Sequence, residues 1–378
     1  MKVLFPLEAF YPSTLGGTAQ TMYWLGKSLV DNGCEVTVVT SNKKLPEGYS
    51  PINKWTNSDG INVRYCSVHS KLPLRLLWNS LLSLKGIDAV VLSSIFFMPN
   101  FFIALFSVLL NKRVIWSPRG ELFDTAIEGR KTKVLFIKLL KVLFSRKVVF
   151  HVTSQAEKKV LVRHFGEKSE IYCIPNYFEI PDLLENESEE KRYFMFLGRI
   201  APIKALDKLL LALSQSKSFT HSDIHFYFVG VKEVQFENYY DSLQNMVRDL
   251  NLKNRVSFVG PLQGIEKYKF YSKARFSFLI SESENFGNVV IEALSQGTPV
   301  VCSFGTPWEI LEKTQAGFWT SNNPSELSKT INTICELDDV KYKRMRRNAR
   351  QLAVQYDISQ NIDKWINVLN NYNSNVGI

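Results

Sequence analysis

Short runs of apolar and β-branched residues alternate with longer stretches of helical periodicity along most of this chain. Lys2–Leu7 reads as a buried strand, residues 18–32 as a helix stopped by Gly33, and residues 35–40 (Glu-Val-Thr-Val-Val-Thr) as a second strand. Ala89–Ser93, Arg113–Ser117 and residues 147–153 continue the series as buried strands. Ser154 and Glu157 stand at the spacing of a capping box that opens the next helix. Alternation of this kind predicts a parallel sheet with helices on both faces.

The pattern breaks at residues 181–192, which are polar and charged apart from Leu183 and Leu184, and then restarts. Residues 193–198, 224–230, 255–260, 275–280 and 298–302 read as strands, with helices between them at 206–216 and 236–251. A chain of 378 residues exceeds one comfortable core. The expected division is an N-terminal domain over 1–182, a linker at 183–192, a second α/β domain over 193–356, and a C-terminal segment 357–378. In that last segment Ile362, Trp365, Ile366 and Leu369 fall at helical spacing, which predicts a helix packing back towards the N-terminal domain.

Charge narrows the partners. The chain carries 46 Lys+Arg against 36 Asp+Glu, and the first half holds most of the excess. A basic first half suits phosphates or an anionic membrane surface. The basic residues form no compact block, so nucleic acid is not expected. Five scattered cysteines without Cys-x-x-Cys spacing argue for a reducing compartment and against a disulfide framework or zinc site. The five histidines show no metal spacing. The start lacks a signal peptide's layout, and the longest apolar stretch, 93–110, is interrupted by Pro99 and Asn100. A cytoplasmic protein is expected. Residues 130–144, in a basic segment that runs on to 147, read as a basic, very apolar helix that fits two placements: against an anionic membrane, or over a core with a basic solvated edge. The first would make the protein peripheral on the membrane's inner face.

Candidate chemistry concentrates in residues 281–294, between two strands. Glu284 lies in a loop and Glu292 follows eight positions later on a helix. Gly287 allows close backbone approach to a ligand, and Asn288 and Val289 place amides at the helix N-terminus, a natural anion site. A carboxylate further along can accept hydrogen bonds from sugar hydroxyls. The layout suits a nucleotide diphosphate bearing a sugar.

These residues resemble a known family. Glu284 to Glu292, with Phe286-Gly287, Glu292-Ala293-Leu294 and Gly297-Thr298-Pro299-Val300-Val301 around them, is similar to the Glu-x7-Glu motif of retaining glycosyltransferases of the GT-B fold, family-4 type. The resemblance implies two Rossmann-like α/β domains with parallel sheets facing across a cleft. It implies that Glu284 faces the donor sugar and its phosphate end and that Glu292 holds the ribose. The segment 196–204, with Gly198-Arg199 and Lys204, resembles the family's Gly-Arg…Lys-Gly segment, whose cations bind the donor diphosphate; Ala205 stands where glycine is usual. Fixed cations there would stabilise the charge that grows on the leaving phosphates. Gly16-Gly17 resembles the family's N-terminal diglycine loop, and Ile174-Pro175-Asn176 its Pro-Asn turn, read here as structural. Gly230 and Gly260 fall where relatives contact the base. Arg119 stands where many relatives carry a histidine that contacts the sugar; it can bind phosphate or hydroxyls but carries no proton at neutral pH. Glu121 and Asp124 have no assigned role, and helix capping accounts for them equally well.

The chain has no Asp-x-Asp motif. The resemblance therefore implies no cofactor and no metal: a UDP- or GDP-sugar is the donor, and a glycan or polyprenyl-linked molecule the acceptor, as in surface polysaccharide synthesis. Two other readings stay open, a nucleotide-sugar epimerase or hydrolase and a non-catalytic nucleotide-sugar-binding protein.

Overall fold

The structure, a computed structural model, describes residues 1–68, 72–184 and 193–371. The chain forms two compact units, Met1–Glu179 joined by the segment from Asp357, and Ile180–Tyr356. Most of the linker segment 183–192 lies outside the described residues. Of its described part, the Leu184 amide donates to the Gln296 side chain at 3.0 Å.

The N-terminal unit carries eight strands: β1 (Lys2–Leu7), β2 (Glu35–Ser41), β3 (Trp55–Ser58), β4 (Ile61–Cys66), β5 (Ala89–Ser93), β6 (Arg113–Ser117), β7 (Val149–Val152) and β8 (Ile171–Cys173). Their order is β3-β4-β2-β1-β5-β6-β7-β8, parallel throughout except for β3, which pairs antiparallel with β4. The helices are α1 (Gly17–Asp31), α2 (Leu74–Ser83), α3 (Met98–Leu109), α4 (Asp124–Ile127), α5 (Lys131–Phe144) and α6 (Gln155–Phe165). Because side chains alternate across a strand, β1 feeds two cores. Leu4 joins the core under α2, α3, α5 and α6, with Val90, Val114 and Phe150. Phe5 points the other way, against α1, which runs so close over Phe5 and Ile61 that Gly26 leaves little room for a side chain.

Two strands, β3 and β8, escape the periodicity argument because they are short and lie at the sheet edges; β4, six residues long and inside the sheet, was not expected either. The expected strand at 147–153 shrinks to β7, since the Lys147 amide is taken by the Phe144 carbonyl at the end of α5.

The C-terminal unit holds six parallel strands: β9 (Tyr193–Leu197), β10 (His225–Val229), β11 (Val256–Val259), β12 (Ala274–Leu279), β13 (Val300–Ser303) and β14 (Gly317–Thr320), ordered β11-β10-β9-β12-β13-β14. Its helices are α7 (Leu206–Gln215), α8 (Lys217–Thr220), α9 (Glu237–Asp249), α10 (Gly264–Lys273), α11 (Asn288–Ser295), α12 (Ile310–Lys313), α13 (Pro324–Cys335) and α14 (Asp339–Val354). Phenylalanines 194, 196, 226, 228, 276 and 278 fill its core. The chain then returns to the N-terminal unit. The helix expected in the C-terminal segment is α15 (Ile362–Asn370), preceded by a 3-10 turn at Ile358–Gln360; its Trp365 packs on His151 with ring centroids 4.5 Å apart.

Both sheets reverse direction beside their first strand, between β1 and β5 and between β9 and β12. In open α/β sheets the crevice at the carboxyl ends of such a strand pair is where ligands bind, because the flanking loops diverge there.

Candidate functional site

In the C-terminal unit the loops after β9 and β12 leave the sheet side by side. The Glu282 amide donates to the Ile203 carbonyl at 2.9 Å, joining two segments that are far apart in sequence. On this seam the Lys204 ammonium meets the Glu284 carboxylate at 2.5 Å, both side chains being mostly buried, and the Ser281 hydroxyl donates to the same carboxylate at 3.2 Å. Arg199 stays half-exposed, its nearest carboxylate, Glu233, 3.9 Å away. Ala205 adopts a left-handed conformation with φ of 49°, which explains why glycine is the easier residue there.

Gly287 has φ of 84° and caps α11 from its N-terminal side. A Cβ at this glycine would press 2.6 Å from the Leu279 side chain and 3.3 Å from the Glu284 side chain, so the loop packs this closely only with glycine here. Asn288 and Val289 are the first residues of α11. Phe286 is expected among the donor contacts. Its ring is buried against Trp308 and Tyr356, and Trp308 Nε1 donates to its carbonyl, so it anchors the loop from inside.

Glu292 faces Lys267 of α10 at 2.7 Å. Burial works against the Lys267 charge, but the Glu292 carboxylate outweighs it and holds the ammonium above its usual pKa. Tyr271, fully buried next to this pair, has its phenol held well above the usual range by burial and by Glu292. Gly230 has a structural explanation: a Cβ there would collide with the Gly198 carbonyl of the neighbouring strand end. Gly260 has open space around it.

The N-terminal unit builds a second cluster at its own switch point. Gly16, with φ of 78°, ends the loop after β1, and Gly17 begins α1. Arg119 also sits in the left-handed region, at φ of 57°. From there Nε donates to Ser93 Oγ at 3.1 Å, Nη1 to Asn176 Oδ1 at 2.8 Å, and Nη2 lies 3.1 Å from the Met22 sulfur of α1. Burial pushes the guanidinium down to about 10, with the Glu157 carboxylate opposing, so it remains cationic at neutral pH. The backbone turn is held by Glu157. Its carboxylate accepts from the Gly120 amide at 2.6 Å and the Thr153 amide at 2.8 Å, where a capping box would have it reach the Ser154 amide. Ser154 Oγ does accept from the Glu157 amide. Glu121 is the half-buried acceptor for Ser94 Oγ and the Ile95 and Phe96 amides, and Asp124 pairs with Arg163 on the surface.

His151 is buried below this cluster. The Ile174 carbonyl, 2.8 Å from Nε2, can only accept, so Nε2 carries the proton and Nδ1 accepts from Ser117 Oγ at 2.5 Å. Burial, then the Arg119 charge, holds the imidazole down to about 3, against an ordinary 6.5. As pH falls the unfolded chain binds the proton first, so stability is lost from about pH 6.5 towards 3. The rate is up to about 1.4 kcal/mol per pH unit. His151→Gln should lack that slope. Urea midpoints of both proteins measured between pH 7.5 and 4.5 should converge as pH falls; parallel lines would contradict the assignment.

Glu284, Lys204, Gly287, Asn288 and Val289 are therefore gathered at one switch point, with Glu292 further along α11 and Arg199 at its rim. Gly16, Gly17 and Arg119 gather at the other. Glu157, Asn176 and Lys267 join these clusters without a functional signal in the sequence. Glu157 carries only a capping signature, and Lys267 lies on a different helix from its partner. Among the described residues, no three His, Cys, Asp or Glu side chains come together as a metal site.

Comparison with known proteins follows the same division. Residues 15–179 match the family described as Glycosyltransferase Family 4, and residues 184–352 match Glycosyl transferases group 1. An uncharacterized glycosyltransferase of Haemophilus influenzae is 24% identical over 364 residues, covering 94% of this chain and 96% of that protein. The O-antigen chain mannosyltransferase RfbU of Salmonella typhimurium is 29% identical over 172 residues, 45% of this chain and 46% of that protein. Anabaena Alr3699/HepE, solved in complex with UDP and glucose, superimposes with a TM-score of 0.76 at 20% identity, covering 97% of this chain and 99% of that one. Sheets that reverse at their first strands, in a chain divided between two glycosyltransferase family models, make this protein a member of the GT-B-fold glycosyltransferases.

Proposed function

We propose that this glycosyltransferase takes its sugar from a UDP- or GDP-linked donor, retains the anomeric configuration, needs no metal, and delivers to a glycan or polyprenyl-linked acceptor in surface polysaccharide synthesis. The observation that carries the reading is the Lys204–Glu284 pair on the seam between the β9 and β12 loops, beside the N-terminus of α11. Lys204, Arg199 and the amides of Asn288 and Val289 would take the diphosphate, supplying fixed positive charge where leaving-group charge develops. Glu284 would turn towards the sugar, Glu292 towards the ribose, and Arg119 would bind phosphate or a sugar hydroxyl. The Gly16-Gly17 loop would let the backbone come close to a phosphate or sugar. In the transfer, the acceptor oxygen bonds to the anomeric carbon as the carbon–phosphate-oxygen bond breaks. The hydroxyl proton passes on the same face to the departing phosphate oxygen. Positioning and charge stabilisation are the chain's contribution.

Relatives support parts of this. HepE is seen with UDP and glucose, and RfbU is an O-antigen chain mannosyltransferase. A peripheral position on the membrane's inner face, through residues 130–147, belongs to the same reading.

The test is a panel of UDP- and GDP-sugars screened for thermal stabilisation, followed by product analysis with the best one in the presence of EDTA. A ligand at 100 times its Kd should add about 2.7 kcal/mol of stability. The expected product is a glycoside whose anomeric proton coupling matches the donor's. An inverted, isomerised or merely hydrolysed sugar overturns the reading, as does abolition of transfer by EDTA.

A further inference from the structure

Helices that face water are ordinarily polar on the outside, and α2, α3 and α5 are not. These three helices cover one face of the N-terminal sheet, where Leu76, Ile103 and Leu140 fill the core beneath them. Their inward stripes are thereby satisfied. A second apolar stripe points outward on each. Trp78 and Leu82 on α2, Phe106 and Leu109 on α3, and Leu135 and Val142 on α5 are all exposed, Trp78 by 64% and Val142 by 82%. Of the twenty large apolar side chains exposed among the described residues, eleven fall between Leu74 and Val142, so the exposure is concentrated, not scattered. The helices are neighbours: α2 packs on α3, and Phe101 of α3 meets Phe136 and Phe144 of α5 with ring centroids 6.0 and 5.9 Å apart.

Charge selects the occupant. The three helices contain Arg75, Lys131, Lys133, Lys138 and Lys141 and no Asp or Glu. A second copy of this face would meet it with like charge, which disfavours pairing. An anionic lipid surface offers both complements, acyl chains for the apolar stripes and headgroup phosphates for the lysines. No helix among the described residues is long and apolar enough to cross a membrane, so the face would lie on a bilayer.

We propose that α2, α3 and α5 form one docking face for an anionic lipid bilayer, extending the contact at residues 130–147 to a plane that α2 and α3 complete. It rests on the peripheral placement proposed above and is independent of the transfer chemistry. The full-length protein is sedimented with phosphatidylcholine vesicles, with and without phosphatidylglycerol. Partition onto anionic vesicles should exceed that onto neutral ones by at least about ten-fold at low salt, given about 1 kcal/mol per basic residue at the surface. The triple change Trp78→Ser, Leu109→Ser, Val142→Ser should cut binding to anionic vesicles by roughly ten-fold or more. Lys138→Gln with Lys141→Gln should remove most of the preference for anionic lipid. All five positions lie away from both clusters, so unfolding temperature and stabilisation by a nucleotide sugar should be unchanged; these readouts separate loss of the face from loss of the donor site. Wild-type protein left in the supernatant, or equal binding to neutral and anionic vesicles, overturns the proposal. So does a dimer in sedimentation equilibrium that the triple serine variant abolishes, which would assign the face to self-association.

Discussion

Replacing Lys204 by alanine is expected to lower kcat/KM by roughly 10²–10³-fold while the protein stays folded. Two effects add. The first is loss of a fixed cation where charge develops on the leaving diphosphate. The second follows from the ion pair, in which Lys204 lies 2.5 Å from Glu284 with both side chains mostly buried. Without the ammonium, an uncompensated carboxylate faces incoming phosphates. The site changes from a neutral pair to a net negative charge, and donor binding weakens along with turnover. Arg199→Ala should move in the same direction. Arg199 is more exposed and its nearest carboxylate is 3.9 Å away, so its removal strands no buried charge. Steady-state kinetics with the donor found by the panel, beside melting curves for both variants, check this. Wild-type turnover in Lys204→Ala would remove the lysine from the site.

Glu157→Ala should destabilise the N-terminal unit by about 3–5 kcal/mol. The carboxylate is 1% exposed and accepts from the Gly120 amide, the Thr153 amide and Thr153 Oγ1. Truncation takes the carboxylate acceptor away from two backbone donors and leaves a cavity in its place. Arg119 and Gly120 both hold positive φ, at 57° and 79°, so their turn depends on that anchor. Glu157→Gln, which keeps the shape but gives up one acceptor oxygen, should lose less stability and still misplace Arg119. The expected pattern is a urea midpoint close to wild type for the glutamine variant with kcat/KM clearly reduced. An unchanged midpoint in Glu157→Ala would show that the turn supports itself.

The type and order of elements were legible because their signals are local. β-branched runs mark β2, β5 and β6, and Gly33, with φ of 80°, stands where a helix stop was expected. The polar break near residue 181 lies close to the boundary between Glu179 and Ile180. Short edge elements such as β3 and β8 gave no periodicity to detect, whereas Ile362, Trp365, Ile366 and Leu369 marked the last helix by their own spacing.

The candidate residues were legible as motif words, but not what each one touches. Phe286 is hidden behind the loop it was expected to line, and Gly230 answers first to the backbone beside it. Asn176, read as part of a turn, accepts from Arg119, 57 positions earlier.

By itself the sequence determined two α/β units, most of their strands and helices in order, and the cationic and acidic residues of the candidate site. Periodicity, caps and turns act within a few residues and can be read from any window of the chain. Only the tertiary structure decided that β9 and β12 are neighbours, so that Lys204 meets Glu284, that Lys267 stands against Glu292, and that three helices share one apolar outer face. Those pairings follow from crossover direction and from burial on both faces of a sheet, which depend on contacts between residues far apart along the chain.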